Sequence, residues 1–96
     1  MIQSFGDART EDVWNGVSNA RTRTLSEDVI RAAVRNLDML HAAVTLDDLR
    51  SPPGNRLEAL KGDLAGFYSI RINSQWRITF RWTTPGPEMV TIVDYH

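Results

Sequence analysis

No cysteine occurs among the 96 residues, which excludes disulfides, thiolate nucleophiles and Cys-ligated zinc together. Histidine is scarce too: His41 and His96 are the only two, too few for a His-rich metal site. No apolar run approaches the roughly 18 residues a membrane span needs. The opening Met1-Ile2-Gln3-Ser4-Phe5 has neither the basic nor the apolar region of a signal peptide. A cytoplasmic location and no membrane partner are therefore expected. Lysine is nearly missing: ten of the eleven cations are Arg, and the exception is Lys61. Gly and Pro together fill only ten positions, which argues against disorder and fibrous repeats.

What is present reads as one globular domain over residues 1–96, with 42% hydrophobic and 24% charged residues. Charge is unevenly placed. Residues 1–49 carry five Arg against eight acids, a net of −3. Residues 50–81 carry six cations against Glu58 and Asp63, a net of +4, and residues 82–96 add −2. The basic middle is made mostly of guanidinium groups, whose planar fork suits bidentate phosphate binding. A solvated set of sheet cations is the plainer alternative.

Ile2 to Phe5 alternates as a short opening strand, and residues 8–16 suit a short helix around Val13 and Trp14 that ends near Gly16. Ser26 is a good N-cap, with Glu27 and Asp28 placing negative charge at the start of the helix. Ile30, Ala33, Val34, Leu37 and Leu40 then recur at helical spacing, with Arg31, Arg35 and Asp38 between them. His41 falls in the last turn, where a cation suits the dipole. Thr45 or Asp47 opens a brief turn through Leu49, and Ser51-Pro52-Pro53-Gly54-Asn55 stops any helix. After that break the period changes to two. Strands are expected at Arg56 to Leu60, Phe67 to Ile72, Gln75 to Trp82 and Met89 to Tyr95. This order predicts an α+β domain, its N-terminal helices packed on one face of a small, mainly antiparallel sheet.

The third strand has two unlike faces. Trp76, Ile78, Phe80 and Trp82 point one way and should carry the helices; Gln75, Arg77, Thr79 and Arg81 point to the polar side. Arg71 on the hairpin partner is expected nearby. Three guanidinium groups there repel one another unless carboxylates or an anionic ligand intervene. Glu58 and Asp94 are available carboxylates, so a purely structural ion-pair network is one reading. A catalytic reading draws on Glu58, Lys61, Arg71, Arg77, Asp94, Tyr95 and His96. Together they offer a carboxylate base, phosphate-binding cations, an aromatic surface and an imidazole acid, the parts that metal-free RNA cleavage needs. No metal and no cofactor are expected.

Arg56-Leu57-Glu58-Ala59-Leu60-Lys61-Gly62-Asp63, Phe67-Tyr68-Ser69-Ile70-Arg71-Ile72-Asn73, Gln75-Trp76-Arg77-Ile78-Thr79-Phe80 and Asp94-Tyr95-His96, in this order, resemble the HigB family. These are toxins of type II toxin–antitoxin systems within the RelE superfamily. The resemblance implies a RelE-like fold and a ribosome-dependent mRNA endoribonuclease that blocks translation. It further implies neutralisation by a HigA-type helix-turn-helix antitoxin, with operator DNA reached only through that antitoxin. The family's sheet arginine falls on Arg77, and its closing triplet on Asp94, Tyr95 and His96. Where the family often has His, two residues before Leu60, this chain has Glu58. The YoeB-like branch combines Glu, Arg and His, which Glu58, Arg77 and His96 match by analogy. The sequence pI near 6.0 is low for this usually basic family.

The resemblance thus implies Glu58 as general base with Lys61 beside it, and Arg77 on the scissile phosphate with help from Arg71 or Arg81. Tyr95 is expected to stack on a base, Asp94 to position its neighbours, and His96 to protonate the leaving group. His96 is written last, so a terminal carboxylate beside it is expected to favour the imidazolium. Because Arg77 lies on the polar side, its replacement is expected to leave the fold intact. The alternative is a non-catalytic RelE-like interaction protein, either an antitoxin-binding co-repressor or a gyrase-binding toxin.

Overall fold

The computed structural model describes residues 1–95. Helix α1, Ala8–Trp14, starts where the extended Asp7 accepts the Thr10 N–H at 2.8 Å on Oδ1 and so caps the first turn. It stops short of Gly16, which carries the chain onward at φ 72°. Helix α2, Glu27–Ala42, is capped by Ser26, whose Oγ accepts the Val29 N–H at 3.2 Å. Val29, Ala33, Leu37 and Leu40 form its buried stripe, and Arg31, Arg35 and Asp38 stay exposed. A 3-10 turn, Leu46–Arg50, follows, with Thr45 and Asp48 making a capping box. His41 sits in the last turn of α2, as expected, but its Nδ1 accepts the Ile2 N–H at 3.2 Å. Its ring leans on Trp14, with centroids 5.1 Å apart. Through these contacts His41 ties the opening segment and α1 to the end of α2.

Four strands make an antiparallel meander in the order β1-β2-β3-β4: Glu58–Ala59, Phe67–Arg71, Trp76–Thr83 and Gly86–Asp94. β1 is shorter than the alternation suggests because Arg56 turns left-handed at φ 46° and Lys61 already leads into the 3-10 turn Gly62–Leu64. The opening segment is no full strand but a single parallel bridge, Phe5 to Val90. It still lies along β4: Gln3 N–H donates to Pro87 O at 2.8 Å, and Gly6 N–H to Val90 O at 2.9 Å.

The helices cover one face of the sheet. Ile70, Ile78, Phe80, Val90 and Ile92 of that face are buried in one cluster with Leu37 and Leu40 of α2. Burying such side chains is the main stabilising term of a domain this size. On the open face, register sets Ser69 opposite Thr79 and Arg71 opposite Arg77. The pairing of β3 with β4 shifts between Thr79 and Arg81, where Met89 takes φ 53° as the extra residue of a bulge. Beyond it Val93 lies opposite Arg77 and Asp94 opposite Trp76. A one-residue shift exchanges the two faces of a strand. The bulge therefore gives Tyr95, rather than Asp94, to the row of Arg77.

Candidate active site

Arg77 is the centre of the open face, and it is not the solvated residue that alternation suggests: it is only 6% exposed. Its Nη1 donates to Ser69 Oγ at 2.5 Å and to the Arg56 carbonyl at 3.4 Å. Its Nη2 donates to Glu58 Oε1 at 3.3 Å. The Tyr95 ring lies over the guanidinium, 4.9 Å from Cζ to centroid. Burying a charge is costly unless it is paired and hydrogen-bonded, and here both conditions hold. A guanidinium fixed by β1, β2 and the end of β4 is a rigid fork suited to a phosphate. Glu58 is half exposed and reaches Arg77 from the two-residue β1. An incoming anion competes with that carboxylate for the same donor.

The remaining candidates are spread unevenly. Arg71 is half-buried in the same row as Arg77, its carbonyl held by Asn36 Nδ2 at 3.0 Å. Arg81 lies further along β3, ion-paired with Glu88 at 3.4 Å and 5.7 Å from the Phe67 ring centroid. Lys61 is exposed where β1 leads into its turn. Asp94 belongs to the other row of β4, and its Oδ2 accepts from Gln75 Nε2 at 3.2 Å. His96, expected as the acid, lies outside the described residues.

Two residues that the sequence reading passed over take part. Ser69 is fully buried and supplies the short contact that sets the guanidinium. Its place in the row of Glu58 and Thr79 was the available signal. Gln75 ties the start of β3 to the end of β4: its carbonyl accepts the Tyr95 N–H at 2.6 Å while its side chain holds Asp94. Beside Tyr95 opens a cleft of about 550 Å³, walled by Leu60, Lys61, Leu64, Phe67 and Val93. The assembly combines a carboxylate, a fixed guanidinium and an aromatic ring, suited to hold a phosphodiester and take a proton from a hydroxyl next to it.

A family model described as the RelE-like toxin of the type II toxin–antitoxin system HigB matches residues 4–96. The chain belongs to the HigB-like toxin family. Toxin HigB-1 of Vibrio cholerae serotype O1 is 43% identical over 96 residues, covering 100% of this chain and 98% of that protein. Endoribonuclease HigB of Proteus vulgaris is 39% identical over 41 residues, 43% of this chain and 45% of that protein. Among solved structures, a YoeB–YefM complex from Staphylococcus aureus superposes with a TM-score of 0.63 at 14% identity, covering 100% of this chain and 98% of that one. A YoeB dimer from the same organism gives 0.61 at 19% identity, covering 99% and 94%. At such identities the likeness establishes the fold, the α+β arrangement described above, for this HigB-like toxin. No helix among the described residues is long and apolar enough to cross a membrane.

Proposed function

We propose that this HigB-like toxin is a ribosome-dependent mRNA endoribonuclease that inhibits translation. The observation that carries the reading is the buried guanidinium of Arg77, fixed by Ser69 and faced by Glu58 and Tyr95 on the open side of the sheet. In this reading the scissile phosphate takes over the donor that Glu58 now occupies. The released carboxylate accepts the 2′-OH proton as general base, the O2′–P bond forms, and the P–O5′ bond breaks. His96 protonates the departing O5′, leaving a 2′,3′-cyclic phosphate. Arg77 balances the charge growing on the phosphoryl oxygens, with Arg71 beside it in the row. Lys61 and Arg81 contact the RNA backbone on either side, Tyr95 stacks on a base, and Asp94, held by Gln75, positions the chain end. No step is routed through a metal or cofactor. Electrostatic and acid–base contributions of this kind are the usual source of rate in acyl and phosphoryl chemistry.

The partner expected for such a toxin is a HigA-type helix-turn-helix antitoxin, through which it reaches operator DNA, and the site of action is the cytoplasm. Ribosomes programmed with a short mRNA and mapped by primer extension test the reading. New 5′ ends that require both ribosomes and toxin are the expected result, and Glu58→Gln is expected to slow their appearance by about 10²–10⁴-fold. Undiminished cleavage by Glu58→Gln removes the proposed base. Absence of cleavage by the wild type, with gyrase inhibition or antitoxin binding retained, turns the assignment to an interaction protein.

A further inference from the structure

Glu58 sits on the shortest strand of the sheet, and something beyond that strand has to aim it. β1 is two residues long and pairs with β2 alone, Glu58 opposite Ser69 and Ala59 opposite Tyr68. So short a pairing is marginal by itself. The segment that leads into it is anchored more deeply. Asn55 is only 3% exposed, although residues 51–54 before it are exposed. Its Nδ2 donates to the Leu49 carbonyl at 3.1 Å and the Ser51 carbonyl at 3.4 Å, and lies 3.8 Å from Met39 Sδ of α2. Its backbone N–H donates to Pro52 O at 3.0 Å. Arg56 follows at φ 46° and ψ 56°, a conformation that residues with a Cβ rarely adopt, while its side chain is exposed. Strain of this kind persists where the surroundings impose it, and it collects at working sites.

We infer that Asn55 and the left-handed backbone of Arg56 are positioning residues for the Glu58–Arg77 pair, an assignment that rests on the reading above. The two arms of the guanidinium meet the same short segment. Nη1 donates to the Arg56 carbonyl at 3.4 Å, and Nη2 to Glu58 Oε1 at 3.3 Å. Rotating Arg56 to extended backbone turns its carbonyl away from Nη1 and redirects the chain that carries Glu58. The element matters most once a phosphate takes the Nη2 donor and frees the carboxylate. Ser69 Oγ and the Arg56 carbonyl, both on Nη1, then keep the fork aimed. The turn pinned by Asn55 keeps the carboxylate beside the 2′-OH. A misplacement of about 1 Å at a reacting group costs on the order of 10²-fold in rate. Arg56 thus acts through its main chain, and its cation is not needed.

Arg56→Gly and Arg56→Val both remove the cation, but Gly takes positive φ readily and a β-branched residue does not. Cleavage on programmed ribosomes, followed against toxin concentration, separates the plateau rate from half-saturation. The plateau is expected to be roughly tenfold or more lower in Arg56→Val than in Arg56→Gly, with equal half-saturation. The Arg77 guanidinium N–H signals in NMR are expected to keep their wild-type positions in Arg56→Gly and to shift or broaden in Arg56→Val. Arg56→Ala takes the place of Arg56→Val should the latter not fold. Folded Asn55→Ala, which loses both bonds to the loop carbonyls, is expected to repeat the Arg56→Val pattern. Equal plateaus and equal Arg77 signals in the Gly and Val variants overturn the assignment. So does wild-type behaviour in Asn55→Ala. A common rise in half-saturation in both Arg56 variants, with equal plateaus, shows a side-chain contact with RNA and overturns it as well. Should the wild type cleave nothing on ribosomes, the nuclease reading falls, and the Arg77 signals alone then uphold or overturn the positioning element.

Discussion

Ser69 is the acceptor on which the position of Arg77 depends. Its hydroxyl, fully buried, lies 2.5 Å from Nη1, the shortest contact the guanidinium makes among the described residues. Ser69→Ala removes that oxygen and adds nothing in its place, so a buried donor loses its partner at about 1–3 kcal/mol. The expected outcome is a lower urea midpoint together with slower RNA cleavage. A variant with wild-type midpoint and rate shows that the contact is dispensable. Arg77→Ala is expected to destabilise by more than the about 0.5 kcal/mol typical of surface positions, since it vacates a covered site. Sequence alternation alone leads to the opposite expectation. It tells which side of a strand a residue occupies, and does so correctly for Arg77, but it carries no information about what covers that side. The cover comes from β1 and the end of β4, through Glu58 and Tyr95.

At the scale of elements, the helices and the meander were legible because each announces itself locally. Ser26 with the acids behind it, and an apolar stripe at helical spacing, suffice to place α2. The bulge in β4 was not legible. It depends on Met89, a residue with a Cβ, adopting φ 53°, and no local pattern favours that. Its effect is nonetheless large, since it decides whether Tyr95 or Asp94 shares a face with Arg77. Met89→Gly removes the left-handed strain and is expected to raise stability by about 1 kcal/mol with the register kept. Chemical denaturation and the amide pattern of β3 against β4 check both parts. A loss of stability shows that the Met89 side chain contributes more by packing than it costs in strain. Ser26→Ala, at the far side of the molecule, is expected to cost about 0.5–2 kcal/mol and leave cleavage unchanged. A fall in rate at full folding contradicts the separation of helix layer and site.

For the molecule as a whole, two carboxylates contribute a pH dependence to stability. Asp12 is held below the ordinary value of 3.8, first by the Asn19 amide and then by Arg21, against a small opposing effect of burial. Asp48 is lowered likewise by the Thr45 and Val44 backbone N–H groups, 3.0 and 2.9 Å from its Oδ2. A carboxylate lowered in the folded state contributes stability that is complete above 3.8 and is lost as pH falls through the folded value. Denaturant midpoints measured from neutral pH downward are therefore expected to hold until about pH 5 and then decline. In Asp12→Asn with Asp48→Asn that decline is expected to be shallower, and an unchanged slope assigns it to other groups. One more property follows from how the outer border of β4 is occupied. The Val90 and Ile92 N–H groups are taken by Ser4 O and Thr10 Oγ1, and their carbonyls by Gly6 N–H and Arg9 Nη2. The border at β1 is only two residues long. A long row of vacant donors and acceptors templates uncontrolled growth of a sheet from chain to chain. Val90 and Ile92 present none at this border, so that stretch of β4 cannot seed such growth from chain to chain; removing residues 2–6 would uncover Val90 and leave Ile92 covered by Arg9 and Thr10.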